Sequence, residues 1–379
     1  MKALVCGDVH LTNYGMFNEP TDDPAVGSRL SYILKALDDF FAYGKENNIN
    51  TYIINGDLFD SRQSDNPTTL AHIRKHFITS FRNLTNVNKA TLYLNSGNHD
   101  QYTRSVTPNS LEDFELYSTD THKIKVINAV TPIQVDNNTE LFFIPYDEDI
   151  KGTKEVVNDY LYKHPFNGAV NVFAHLGVTG ATQGRWNHRL GGAFNLDDLG
   201  WNAPNVKSIS LSHYHNRQSL KKEGTKDAYY IGDLTALNFN DIGGDGLGVS
   251  RGFDEIDLDT GEHKFIDLTQ SPYNIPTFNQ INLDTDDNFD LAAQVDDHSY
   301  YKISCKSKDT YEKLAKELEN NSIASRVQLI LLPQEQRVTI DVDANATDTE
   351  LVSKYCDLNY PEVKDKALDY LRKAKEAEW

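Results

Sequence analysis

Apolar residues along the first two-thirds of the chain fall into two rhythms. Short runs rich in β-branched and aromatic side chains occupy Lys2 to Cys6, Thr51 to Ile54, Thr91 to Leu94, Val170 to Phe173, Val206 to Leu211 and Tyr229 to Ile231. Their length and composition predict buried strands. Between them, Leu30, Ile33, Leu34, Leu37 and Phe41 recur at three- and four-residue spacing, the stripe of an amphipathic helix. Asn66-Pro67 reads as an N-cap and first helical position, and Ile73, Phe77, Ile78 and Phe81 make the stripe that follows. A shorter helix is expected over Val156 to Tyr162. Strands alternating with helices predict an α/β layered domain.

The texture changes at S-P-Y-N-I-P-T-F (Ser271 to Phe278), where two prolines mark a linker. Beyond it the pattern predicts a strand over Tyr301 to Cys305, a helix over Thr310 to Leu318, and strands over Val327 to Leu332 and Arg337 to Val342. That is a small α+β module. The acidic run Asp284 to Asp290 inside it reads as a solvated loop. From Thr347 the chain is helical to its end, with a break near Asn359-Tyr360-Pro361. The expected domains are therefore 1–271, 277–343 and 347–379.

Composition narrows the class. The 379 residues are 39% hydrophobic and 25% charged, as in a soluble globular protein with a sizeable core. No apolar run approaches the roughly 18 residues of a membrane helix, and the start M-K-A-L-V-C-G-D-V-H is too polar for a signal peptide. Three cysteines lie far apart with no Cys-x-x-Cys, which points to a reducing cytoplasm. The net charge of −19 argues against a generic nucleic-acid binder with a basic face. It leaves open an enzyme whose substrate contact is made by bound cations.

The candidate chemistry sits just after the predicted strands. Leu4-Val5-Cys6 runs into Asp8 and His10, Tyr52-Ile53-Ile54 into Asp57 and Asp60, and Leu92-Tyr93-Leu94 into Asn98, His99 and Asp100. Val172-Phe173-Ala174 runs into His175, and Ser210-Leu211-Ser212 into His213 and His215. Ligands of α/β sheets bind at the carboxyl ends of strands, so these groups can converge. Asp8 and His10, like His213 and His215, stand two apart, which in extended chain places both on one side. Mixed carboxylate, imidazole and amide oxygen suits manganese, iron or zinc better than a thiolate zinc site would. With one bridging carboxylate, Asp8, His10, Asp57, Asn98, His175, His213 and His215 give each of two metals four ligands. Two metals about 4 Å apart can clamp both the attacking and leaving oxygens of a phosphoryl group.

The ordered set D-x-H, G-D-x-x-D, G-N-H-D, H and H-x-H resembles the calcineurin-type metallophosphoesterases over roughly residues 1–270. The resemblance implies a β-sandwich flanked by helices. It implies one metal on Asp8, His10, Asp57 and His215, and a second on Asp57, Asn98, His175 and His213, with Asp57 as the bridge. His99 then stays off the metals as general acid or charge stabiliser. Asp60 orients His99, with Asp100 as the local competitor. The last motif in relatives is G-H-x-H, and Ser212 stands here in place of that glycine.

Protein phosphatases carry G-D-x-V-D-R-G, whereas this chain has G-D-L-F-D-S-R. D-V-H-L and G-D-L-F-D look like the nuclease subunits of SbcCD-type DNA repair complexes, the bacterial and phage relatives of the Mre/Rad complex. Those subunits carry a small capping domain, then helices that dock on a coiled-coil ATPase, the layout of 277–343 and 347–379. The resemblance thus implies a manganese-dependent DNA exonuclease and endonuclease in which a metal-activated hydroxide attacks phosphorus. Magnesium, iron or zinc are the other candidate metals. It implies a homodimer within a heterotetramer and a cytoplasmic site of action, in the host if the source is a phage. Leu351, Val352 and Tyr355 share a face for the ATPase, or for packing on the chain's own domain. In G-R-W-N-H-R-L-G-G, Arg185 and Arg189 offer phosphate contacts and Trp186 a stacking surface, unless this is a plain surface loop. The alternative reading is a metallophosphatase or cyclic-nucleotide phosphodiesterase acting on small phosphate esters.

Overall fold

The central strands are apolar on both faces because both faces are covered. In β1 (Lys2–Cys6), Leu4 and Cys6 join a core shared with helices, while Ala3 and Val5 join a second core on the opposite side. The same alternation continues in β2 (Thr51–Asn55) and β3 (Ala90–Asn95), where Ile53 and Tyr93 face the second core. This strand-by-strand division builds a sandwich of two sheets with helices outside. The first sheet runs β14 (His263–Asp267), β13 (Gly252–Asp257), β1, β2, β3, β4 (His122–Ile127). It is parallel from β1 to β4, and β13 and β14 add antiparallel strands beside β1.

The second sheet runs β11 (Gln218–Glu223), β12 (Lys226–Tyr230), β10 (Val206–Ser212), β7 (Ala169–His175), β6 (Thr139–Ile144), β5 (Thr131–Gln134). Its four inner strands are parallel and its two edges antiparallel. Between the sheets Tyr93, Phe143 and Phe173 stack at ring distances of 5.3 and 5.5 Å. Helices α1 (Ser28–Glu46) and α2 (Pro67–Arg82) bury Leu30, Ile33, Leu37 and Phe41, and Ile73, Phe77 and Phe81, against the first sheet. Asn66 caps α2 as expected, accepting the N–H groups of Thr68 and Thr69 at 3.0 Å each.

This computed structural model describes the chain except residues 14, 61–65, 85–88, 104–105, 164–165, 185–187, 190, 285–288, 320, 334–345 and 377–379. The third helix differs from expectation. It is α3 (Ile150–Asn158), begun by Asp149, whose carboxylate accepts the Gly152 N–H at 3.0 Å, and followed by a π turn over Asp159–Lys163. The buried stripe is Thr153, Val157 and Leu161, so the start lies a turn and a half earlier than the apolar pattern suggested.

A minor hairpin joins β8 (Thr182–Gln183) to β9 (His188–Arg189). Downstream, β15 (Phe278–Leu283), β16 (Tyr300–Cys305) and β17 (Val327–Leu331) form a parallel sheet, with a short α4 (Leu291–Gln294) and a longer α5 (Lys308–Leu318). The expected strand over 337–342, like most of the acidic run, lies outside the described residues. This module belongs to the same compact unit, Met1–Leu331, as the sandwich. Arg29 of α1 lies over the rings of Phe278 and Tyr300 at 4.9 and 4.8 Å, and Phe17 stacks on Tyr300 at 5.1 Å.

The second unit, Leu332–Trp379, contains α6 (Asp348–Asn359) and α7 (Lys364–Glu376). A Thr347–Glu350 capping box starts α6, and Lys364 and Lys375 bridge to Asp357 and Asp348. Among the described residues no helix is long and apolar enough to cross a membrane.

Candidate metal centre

All seven residues expected to hold metal stand at the carboxyl ends of β1, β2, β3, β7 and β10, His175 as the last residue of β7 and the others just beyond their strands, and the fold brings them together. Ligand atoms of Asp8, His10 and His215 lie within 4.8 Å of one another, and so do those of Asp8, Asp57 and His175. The chain does not achieve this by extended-strand alternation. Asp8, His10 and Asp57 have φ of 48°, 51° and 51°, and His213 has 99°, so the backbone turns through the left-handed region at each. Such conformations cost a non-glycine residue roughly 1–3 kcal/mol. They are held by a backbone interlock in which Asp8 N–H donates to Gly56 O (3.1 Å) and Val9 and His10 N–H to Asp57 O (3.0 Å each).

Two glycines permit the close approach. A Cβ on Gly56 would come 2.0 Å from His175 Nδ1, and one on Gly97 would come 2.1 Å from Asp57 Oδ1. Ser212 fits in place of the family's glycine for a related reason. Its Oγ lies where a Cβ on Gly7 would be, and it accepts from Asn55 Nδ2 at 3.2 Å.

The local chemistry calls for cations. A backbone carbonyl can only accept, so His175 Nδ1 donates to Asn55 O (2.9 Å) and the Nε2 lone pair faces inward. There it meets Asp57 Oδ2 at 3.2 Å and Asn98 Oδ1 at 3.1 Å, and His213 Nδ1 reaches the same Asn98 oxygen at 2.9 Å. Acceptors converging in a buried space need a proton or a metal between them. Burial works to lower the His175 pKa, but the charge and hydrogen bond of Asp57 prevail and push it up to about 9. His213 goes the other way, to about 4, through burial and the neighbouring charge of His175. Asp57 is held well below the usual carboxylate range by His175 and His10, against its burial. Nearby, neither ring nitrogen of the buried His10 has a well-formed hydrogen bond.

The outer residues divide labour differently from expectation. The Asp60 carboxylate faces His10 Nδ1 at 3.2 Å, whereas it is the Asp60 backbone carbonyl that accepts from His99 Nδ1. Asp60 therefore fixes His99 through its main chain, while its carboxylate lies within ion-pair distance of His10. Asp100 does not contact the His99 ring. Its two oxygens accept the N–H groups of Gly97 (3.0 Å) and Phe59 (3.2 Å), tying the loops after β3 and β2 together. Burial and the charge of Asp57 raise the Asp100 pKa to about 7. His99 N–H donates to Asp57 Oδ1 at 2.8 Å. Arg189 is exposed on β9, while Arg185 and Trp186 lie outside the described residues.

Two groups were not anticipated. Asn55 and Asn95 end β2 and β3, and Asn95 Nδ2 donates to Asn55 Oδ1 at 2.9 Å. From there Asn55 Nδ2 reaches Ala174 O (3.1 Å) and Ser210 O (3.2 Å), stitching the first sheet to the second beneath the site. The sequence signal was an Asn ending each strand just ahead of its motif. The second group is Asp233, fully buried after β12, with Oδ2 at 3.3 Å from His215 Nδ1. Asp241 lies 3.7 Å from the same nitrogen, and the buried Arg251 donates to the carbonyls of His215 and Asp241. A carboxylate on Nδ1 leaves Nε2 of His215 to point toward Asp8 and His10, an outer-sphere arrangement common around metal-binding histidines. Burial works to lower the His215 pKa, but Asp233 and Asp241 push it up to about 10.

Residues 1–217, more than half of the 379, match the calcineurin-like phosphoesterase family. The chain belongs to that family. Its fold binds two divalent metals, and the donors at the strand ends fit such a pair. Among solved structures, a dimetal phosphatase from Danio rerio is similar at 11% identity and TM-score 0.39, covering 70% of this chain and 98% of that one. That likeness is too loose to bear on substrate. No curated protein matches the chain.

Proposed function

We propose that this phosphoesterase is a DNA phosphodiesterase, the nuclease subunit of an SbcCD-type complex, with manganese as its metal. Asp8, His10, Asp57 and His215 would hold one cation, and Asp57, Asn98, His175 and His213 the other. The observation that carries the reading is the acceptor cluster of Asp57, Asn98 and His175, with His99 anchored beside it. Such a pair, when bound, would neutralise charge on the phosphoryl oxygens and lower the pKa of a water toward about 7.

The chain's residues then supply position and protons. Hydrolysis adds a water oxygen to phosphorus, breaks one P–O ester bond and leaves a proton to be delivered to the departing oxygen. His99 would make that delivery. Its Nδ1–H is committed to the Asp60 carbonyl, so Nε2 is the nitrogen left for substrate. Its N–H bond to Asp57 ties this acid to the proposed bridging carboxylate. Asp100 and the Asn55–Asn95 pair keep the loops in register, so the geometry is set before substrate arrives.

The choice of DNA rests on G-D-L-F-D-S-R and on a parallel α/β module followed by a helical pair. Leu351, Tyr355, Leu358 and Tyr370 leave apolar surface exposed on α6 and α7, which suits docking on the ATPase. Labelled linear duplex DNA incubated with the protein and manganese tests the reading. Shortening of the DNA that is lost in His99→Ala while metal content is retained supports it. Hydrolysis of a chromogenic phosphomonoester with no action on DNA, even with the ATPase present, favours the small-ester reading instead.

A further inference from the structure

The loop from Ala236 to Gly248 is tied both to the α+β module and to His215. On the module side, Gln280 N–H donates to Gly246 O (2.7 Å), Gly248 N–H donates to Asn279 Oδ1 (2.9 Å), and Ile242 shares an apolar cluster with Phe278 and Tyr300. On the other side, Asp241 Oδ1 stands 3.7 Å from His215 Nδ1.

A buried arginine grips the start of this loop. Arg29, only 5% exposed in the first turn of α1, donates from Nη2 to Ala236 O at 2.8 Å. The other half of that peptide unit, Leu237 N–H, donates to Asp241 Oδ2 at 2.9 Å, and Asn238 N–H joins it at 2.9 Å. One peptide plane thus has a cation at its carbonyl and a carboxylate at its N–H. Its dipole lies along both bonds, so each strengthens the other. Arg251 holds the main chain of Asp241, through its carbonyl at 2.9 Å, so the direction of the carboxylate is set by the Leu237 and Asn238 N–H groups. The guanidinium itself is held over the rings of Phe278 and Tyr300, at the starts of β15 and β16.

Resting on the two-cation reading of the metal centre, we propose that Arg29 is a positioning residue for the cation on His215. It acts through the 236–237 peptide and Asp241, which helps orient the imidazole so that Nε2 faces that cation. Because Arg29 rests on two rings of the module, the module is part of the support of this cation. His175 of the other cation site is fixed instead by Asn55 O.

Calorimetric titration of manganese into chelator-treated, dialysed full-length protein tests this. The variants are Arg29→Met, Arg29→Lys, Tyr300→Leu, Asp241→Asn and His215→Ala, with Arg29→Met also combined with each of the last two. His215→Ala identifies which of the two affinities belongs to its cation. That affinity should fall about tenfold in Arg29→Met, and by less in Arg29→Lys and Tyr300→Leu, while the second affinity is kept. Adding Arg29→Met to Asp241→Asn should cause little further loss, and adding it to His215→Ala should leave the remaining affinity unchanged. The urea midpoint of each chelated variant is read alongside, and Arg29→Lys takes the place of Arg29→Met if the latter lacks a cooperative transition. Unchanged affinities, equal weakening of both cations, or fully additive losses in the Arg29/Asp241 cycle overturn the positioning role. An unaffected Tyr300→Leu overturns the link to the module. A wild type that binds fewer than two manganese ions overturns the two-cation reading and the proposal with it.

Discussion

Replacing Arg217 by alanine should weaken both the sandwich and its metal centre. Arg217 stands two residues after His215, and its Nη1 and Nη2 donate to Asp254 Oδ2 and Oδ1 at 2.6 and 2.8 Å. Asp254 is fully buried on β13 of the first sheet, whereas Arg217 leads into β11 of the second, so the pair spans the two layers. The guanidinium also donates to Ile231 O at 3.1 Å and covers the Phe265 ring at 4.0 Å. Breaking a buried pair by removing one partner costs about 3–5 kcal/mol, because the remaining charge is left without compensation. Two facts place the expectation at the low end, about 3 kcal/mol. The Arg217 side chain is 24% exposed, and His263 Nδ1 remains 3.3 Å from Asp254. Against a typical total of about 5–15 kcal/mol this is a large fraction. Urea unfolding in the presence of chelator measures it for Arg217→Ala, Arg217→Met, Asp254→Leu and Arg217→Met/Asp254→Leu, the last three closing a cycle with the wild type. The double variant should recover most of the loss, since apolar replacement of a whole pair is often neutral. A single-variant cost below about 1 kcal/mol, or strictly additive effects in the cycle, would refute the reasoning.

Three further outcomes are expected. Asp233→Asn should reduce affinity for one of two manganese ions by about 10–100-fold, read by calorimetric titration, while the chelated protein keeps its cooperative melt; two unchanged affinities would remove Asp233 from any positioning role. Asn55→Ala strands several buried acceptors and should cost about 2 kcal/mol or more, seen as a lower denaturation midpoint with unchanged slope. The third is a pH dependence. In metal-stripped protein His175 and His215 keep their protons up to about pH 9 and 10, against about 6.5 when unfolded. Their stabilisation is therefore fully present below about pH 6.5 and lost as pH rises through 9 to 10. Divalent cations must displace those protons, so affinity should climb between about pH 6 and 9 with proton release; titration in buffers of different ionisation heat counts the protons, and a flat profile would contradict it.

The parts of the fold legible in sequence were those with an unambiguous local cause. The strands β1, β2, β3, β7 and β10 are continuous apolar runs because both faces are covered, and each delivers its polar groups at a strand end. The pattern did not reveal β4, H-K-I-K-V-I, half of which faces outward, or the polar edge strand β11. The start of α3 was hidden because its cap, Asp149, precedes a segment with one apolar residue per turn. At the site, residue types and order identified the groups that meet, but spacing misjudged how they meet. Asp8 and His10 share a side through left-handed turns, which no period-two rule contains. Asp60 was expected to act on His99 through its carboxylate and acts through its carbonyl, a main-chain role that side-chain identity does not report. Asp233 and Arg251 lie near His215 only through tertiary folding.

The strand order also sets a timetable for synthesis. Asp8, His10, Asp57 and Asn98 come from the first sheet, while His175, His213 and His215 come from the second. At about 5–20 residues per second, a ribosome needs on the order of ten seconds to travel from Asp57 to His215. Until the second sheet is made, the nascent chain holds only four of the seven candidate metal-holding residues. Even afterwards β1 keeps an open edge, because its neighbour β13 is translated only at Gly252–Asp257. The chain's first strand is thus among the last to be fully paired, which makes the growing polypeptide dependent on protection of that edge until its sheet closes.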